Sequence, residues 1–185
     1  GIGKAIALRY AEAGADVALS LYLKDRPITL SGAFDFYNRT PSYWSQSYFS
    51  NHFAWSNNFV KQNITQLNVT LDVPHTGTRI GFNQALMGNP IYYGTDAMPR
   101  QSMGVESVTG LYLEQNFVLG GLHLEHKVLL QYSSAEDIYP VPRLAGNLSY
   151  YYSFQPVKNV LTLNIGLDCW ANTPYYAQAY NPATM

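Results

Sequence analysis

Charge is the scarcest commodity in this chain of 185 residues. Asp, Glu, Lys and Arg make up 12% of it, about half of the roughly 25% usual in soluble domains. The 11 basic and 12 acidic residues leave a formal net charge of -1, so no long-range field steers a polyanion, and nucleic acid is not an expected partner. Cysteine is nearly missing as well. The single Cys169 supports neither a disulfide framework nor a cysteine-based zinc site. Also lacking is any run of about 18 uncharged apolar residues, which excludes a transmembrane helix. Disorder is excluded from the other side, because hydrophobic residues reach 47% and aromatics 15%, led by 16 Tyr. The length suits one ordinary domain. Two classes survive: a β-rich soluble domain short of charge, and a membrane β-barrel, whose hydropathy stays moderate because each strand is apolar on one side only.

Residues 1–19 differ from the rest. They are rich in Ala, with Ile2, Ile6, Tyr10 and Ala13 at helical spacing, Gly14 as a helix stop and Asp16 to Leu19 as the start of a strand. Lys4, Arg9, Glu12 and Asp16 interrupt every apolar stretch, so this is no signal peptide. The segment resembles the start of the short-chain dehydrogenases/reductases, although only Gly1-Ile2-Gly3 of their phosphate-binding turn is present. A phosphate cradle needs the preceding strand and the first glycine, so that backbone N–H groups converge on the anion. Gly1 and Gly3 are therefore at most vestigial cofactor contacts. No Tyr in the chain has Lys four residues later, so that family's catalytic pair is missing. Residues 1–19 are expected to be a helical leader foreign to the remainder, joined through 20–27, and no cofactor is expected.

From residue 28 the period becomes two. Ile28, Leu30, Phe34 and Phe36 alternate with Thr29, Ser31 and Asp35; Leu67, Val69, Leu71 and Val73 alternate with Gln66, Asn68, Thr70 and Asp72. Leu111, Leu113, Phe117 and Leu119 oppose Tyr112, Glu114 and Asn116, with Gln115 the exception on the apolar side. Later stretches around 122–132, 143–154 and 157–168 repeat the pattern. Strands of this length exceed the five or six residues common in globular proteins and suit a tilted membrane crossing of about nine to eleven.

Connections add an independent signal. Pro74 to Gly77 reads as a short turn, 87–104 as long, Gly120-Gly121 as a tight turn at positive φ, 133–142 as long, and Gln155-Pro156 as short. Outer-membrane barrels alternate in this way. Tyr43-Trp44, Trp55, Tyr92-Tyr93, Trp170 and Tyr175-Tyr176 fall mainly at strand ends or in loops, where membrane-interface aromatics belong. An aromatic-rich soluble β-domain that stacks on sugar rings would carry similar residues.

The runs Phe117 to Tyr132, Pro142 to Tyr152 and Pro174 to Thr184 resemble the C-terminal part of a porin family of Bacteroidetes outer membranes, and the resemblance spans about residues 20–185. It implies an all-β protein, an antiparallel up-and-down transmembrane β-barrel of which about eight long strands are present. It further implies passive diffusion of small hydrophilic solutes and a place in the bacterial outer membrane, with the lipid bilayer as partner. A fragment of that barrel over 28–185, behind a short N-terminal α-helix, is the expected organisation. The rivals are an oxidoreductase of the short-chain dehydrogenase type, resting on residues 1–19 alone, and the soluble carbohydrate-binding β-domain.

If the apolar face meets lipid, Asp72, Arg79, Glu114, His123, Glu125, Lys127, Arg143, Lys158 and Asp168 face the lumen, since Lys or Arg at mid-membrane on the lipid side costs about 2–4 kcal/mol. His123 and His126 are spaced by three, which on a strand puts them on opposite faces, so no shared metal is expected. No catalytic motif stands out.

Overall fold

The computed structural model describes residues 17–23 and 26–177. Eight strands form one antiparallel sheet: β1 (Val17–Leu23), β2 (Arg26–Arg39), β5 (Gln62–Val73), β6 (Thr78–Gly88), β9 (Val105–Leu119), β10 (Leu122–Ser133), β11 (Leu144–Val157) and β12 (Leu161–Asn172). Each pairs with the next in this order, so the sheet is an up-and-down meander with β1 and β12 at its edges. It is open among the described residues, and the expected barrel is present only as this sheet. The expected N-terminal helix lies outside the described residues. Residues 17–23, which straddle the expected leader and junction, form an edge strand of the sheet.

Alternation is the cause of the architecture. Partners directly opposite in an antiparallel pair point to the same side, so each row across the sheet keeps one character. One row reads Leu30, Leu71, Ile80, Leu113 and Val128; the next, on the other face, reads Thr29, Asp72, Arg79, Glu114 and Lys127. The strands are long, with β2 at 14 residues and β9 at 15. Rows also drift along the strands. The row through Thr78, the first residue of β6, meets β9 at Gln115, β10 at His126, β11 at Leu148 and β12 at Cys169, well inside a strand that begins at Leu161. Such stagger is what tilted strands produce.

Short connections gather at one end of the sheet. A single 3₁₀ turn at Pro74–Thr76 closes on Gly77, which sits at φ 65° with its N–H donating to the Pro74 carbonyl. Gly120 occupies φ 63°, as its turn requires. The third turn is not at Gln155-Pro156. Those residues belong to β11, which continues past a register irregularity to Val157, and the chain reverses around Asn159 at φ 62°. Proline is tolerated there because the irregularity removes the ladder bond that its missing N–H would otherwise leave open.

Long connections gather at the other end and have structure of their own. A helical turn at Tyr43–Gln46 is capped by Ser42 and leads into the small hairpin β3 (Ser47–Phe49) and β4 (Ala54–Ser56). Tyr48 stacks on Trp55 at 4.8 Å, and the Trp55 indole N–H donates to the Trp44 carbonyl at 2.8 Å. A second hairpin, β7 (Ile91–Tyr93) with β8 (Pro99–Gln101), fills the β6–β9 connection. The Gln101 side chain ties the two connections together, accepting from the Val60 N–H at 2.9 Å and donating to the Val60 carbonyl at 2.8 Å.

Among the described residues no hydrophobic core lies between layers, because the eight long strands form one layer. The buried apolar side chains of the described residues are Trp55, Ile138 and the prolines Pro41, Pro90 and Pro99, all in the long connections. The apolar face of the sheet, from Leu30 through Phe82, Leu113 and Leu130 to Leu167, is exposed. No helix among the described residues is long and apolar enough to cross a membrane.

Candidate functional site

The polar face concentrates what chemistry the chain has. Four of the residues singled out from the sequence stand side by side on four neighbouring strands: Asp72, Arg79, Glu114 and Lys127. Their signs alternate. Arg79 reaches the Asp72 carboxylate at 3.3 Å and that of Glu114 at 3.5 Å, and Lys127 lies 3.9 Å from the other Glu114 oxygen. All four are part-exposed, so each contact is screened and worth little individually. Together they form a ladder whose charges cancel.

The row toward the short-turn end holds Asn116, Glu125, Ser149 and Asp168, and the row beyond it His123 and Tyr151. Tyr151 donates its hydroxyl to Glu125 at 3.1 Å and stacks against the His123 ring at 4.6 Å, nearly parallel. Tyr112, one row from the ladder toward the long connections, lies across Gly81, where any side chain would collide with its ring. Its hydroxyl is 3.0 Å from that of Thr70. A glycine opposite a tyrosine is thus a means of laying the ring flat on the sheet.

Seven of the nine expected residues therefore share the polar face. Arg143 and Lys158 fall just outside the strands. Arg143 precedes β11 and donates to one Glu136 oxygen through Nε at 3.3 Å and Nη2 at 2.9 Å; that hydrogen bond, with the carboxylate's charge, holds the guanidinium above its ordinary value. Lys158 sits in the turn between β11 and β12. In the long connections, the Met98 N–H and then the Arg100 side chain hold the Asp96 carboxyl below its ordinary value. Burial, with Glu106 nearby, pushes the Tyr139 phenol up.

Trp170, expected near a strand end, is the third residue from the end of β12 and pairs with Asn147 on the polar face. It lies two residues from Asp168 on one strand, and positions two apart share a side. Trp170, Tyr112, Leu129 and Ala145 line a hollow of about 390 Å³ whose rim carries Glu114, Lys127, Asn83 and Asn147.

The apolar face has its own polar interruption, and it is self-contained. The Gln115 carboxamide accepts from the Thr78 hydroxyl at 2.6 Å and donates to the Thr76 carbonyl at 2.7 Å. His126 lies 3.3 Å from the Gln115 carbonyl through Nδ1 and 2.7 Å from the Tyr150 hydroxyl through Nε2. A carbonyl can only accept, which assigns the proton to Nδ1 and makes Nε2 the acceptor of the Tyr150 hydroxyl. His123 and His126 are on opposite faces, as their spacing implies. Among the described residues, no group of three or more His, Cys, Asp or Glu is placed to hold a metal ion.

No curated protein and no solved structure matches the chain. A family model does, the one described as "Putative porin", over residues 6–185. The match takes in most of the segment that resembles a dehydrogenase, and that resemblance finds no support. With one large sheet of long antiparallel strands, open among the described residues, polar on one side and apolar on the other, and a family match along nearly its whole length, the chain belongs to this porin family.

Proposed function

We propose that the sheet is part of a β-barrel in the bacterial outer membrane, with the apolar face against lipid and the polar face along a water-filled path that passes small hydrophilic solutes by diffusion. One observation carries this reading: among the described residues nothing covers the apolar face of the sheet. In water, rows such as Leu71, Ile80 and Leu113 would be left solvated at a cost that lipid removes. The contained network of Gln115, His126 and Tyr150 fits the same surroundings, because hydrocarbon tolerates polar atoms only when they are hydrogen-bonded. Seven candidate lumen residues, Asp72, Arg79, Glu114, His123, Glu125, Lys127 and Asp168, face the path; Arg143 and Lys158 stand at its two ends. Family membership argues for transport over catalysis. Closure requires strands against the edges of β1 and β12, which have no further strand partner among the described residues, since unpaired backbone groups are not stable in lipid. Eight strands alone would enclose a lumen filled by side chains.

The test is to refold the chain, joined to the strands that complete its barrel, into lipid vesicles and record across planar bilayers. Discrete, ohmic conductance steps are the expected result. A stable, folded monomer in buffer without detergent would overturn the reading.

A further inference from the structure

We propose that the hollow between Tyr112 and Trp170 is a stacking site for a neutral saccharide, an inference that rests on the pore reading and names the solute it favours. The first ground is a ring with nothing to do. Tyr112 is engaged by Thr70 and Gly81, and Tyr151 by Glu125 and His123. Trp170, on the same face, has no ring neighbour and no hydrogen bond to its indole among the described residues, and its side of the hollow is open. An indole presented this way beside Leu129 and Ala145 has an apolar surface without a partner among the described residues.

The second ground is the match of shape and chemistry. A hollow of about 390 Å³ falls within the range of small-molecule sites, which combine an apolar lining with a few convergent polar groups. Here the lining is Trp170, Tyr112, Leu129 and Ala145, and the rim offers both donors and acceptors. Lys127 only donates and Glu114 only accepts. Asn147, itself buried, spends its NH₂ on the Cys169 carbonyl at 3.4 Å and keeps its oxygen as an acceptor. A pyranose has the complementary layout: a C–H face to lie on an indole and a hydroxyl edge that both gives and takes hydrogen bonds.

The third ground is charge. Lys127 is matched by Glu114, and Glu114 also by Arg79, which Asp72 balances in turn. Among the groups that line the hollow, no unpaired cation waits for a phosphate or carboxylate and no unpaired carboxylate for an amine; the carboxylates of Glu125 and Asp168, which have no ion pair among the described residues, lie in the next row and outside the lining. A neutral solute is what a cancelled ladder leaves preferred.

The full chain in detergent micelles, titrated separately with maltotriose, cellotriose, xylotriose and inorganic phosphate, tests this by saturation-transfer NMR. At least one trisaccharide is expected to bind saturably. Trp170→Ala should weaken that binding about tenfold or more, Trp170→Phe, which keeps a ring, only about threefold, and Trp44→Ala, in the long connections, should leave it unchanged. Absence of saturable trisaccharide binding, equal binding by the Trp170→Ala variant, or tighter binding of phosphate would each overturn the site. Because the readout does not require a pore, a chain that conducts but binds no sugar refutes the site alone. Binding with this pattern, when the chain joined to the strands that complete its barrel never conducts, refutes the pore and supports the site.

Discussion

Leu113 and Glu114 are neighbours in sequence and occupy different worlds. Leu113 stands between Ile80 and Val128 on one face; Glu114 stands between Arg79 and Lys127 on the other. The apolar row is chemically uniform, so it specifies a face and would tolerate exchange between Leu, Ile and Val. The polar row is ordered residue by residue, minus, plus, minus, plus, so it specifies register: a slip of two along any strand keeps the faces but breaks the charge sequence. Hydrophobic alternation therefore decides which side is which, and the charges decide which residue sits beside which.

The sharpest way to break that comparison is to put the same residue on both faces. Leu113→Arg is expected to lower stability in lipid vesicles by about 2–4 kcal/mol if near mid-membrane, whereas Asn83→Arg on the polar face should change it by less than about 0.5 kcal/mol; urea unfolding of vesicle-embedded protein measures both. Equal costs would refute the assignment of faces.

Glycines offer a second contrast. A Cβ at Gly81, on the polar face, would overlap the Tyr112 ring, whereas at Gly32, on the apolar face, the nearest atom is the Asn68 carbonyl oxygen at 3.9 Å. Gly81→Ala should cost about 1–3 kcal/mol by displacing Tyr112 from Thr70, and Gly32→Ala should be neutral or stabilising by up to about 1 kcal/mol, in the same unfolding experiment.

The ladder itself should matter less to stability than to selectivity. Arg79→Gln leaves Asp72 and Glu114 without their shared cation, at an expected cost of about 0.2–1 kcal/mol. The same change makes the row net negative, so reversal potentials in a salt gradient should move toward cation preference. No such movement would show that this row does not face the permeation path.

The smallest effect lies outside both faces. Because the Asp96 carboxyl is held below its ordinary value, its pairing with Arg100 is complete above the usual carboxylate range and is lost only as pH falls through the lowered value. Amide exchange at Met98 should rise there and not earlier, and Asp96→Asn should abolish the step while leaving the sheet's exchange unaltered.

Much of this was legible in the residues. Strict alternation marked β2, β5 and β9 to β12, and the sequence of short and long connections marked the ends of the sheet. The strand β6 is fainter, because Gly81 and Ala85 on one face and Gln84 on the other blur the contrast between its two sides. The ladder could be named as a set but not as a row, since register is fixed by pairing across strands and no single strand contains it. Trp170 was legible as an aromatic near a strand end, and its parity with Asp168 gives it the polar face. Gln155-Pro156 reads as a turn because proline usually ends strands; here an irregularity accommodates it.

The near-absence of buried apolar residues has a consequence for how this protein comes to be folded. Among the described residues, Trp55, Ile138 and the buried prolines all lie in the long connections, so collapse of these strands in water has no centre around which the sheet could condense. If the apolar rows belong to lipid, there is no water-soluble native state for the chain to reach first and then insert. Acquiring structure and entering the membrane become one event, and until it happens the long, sticky strands are exposed to aggregation and need to be kept apart.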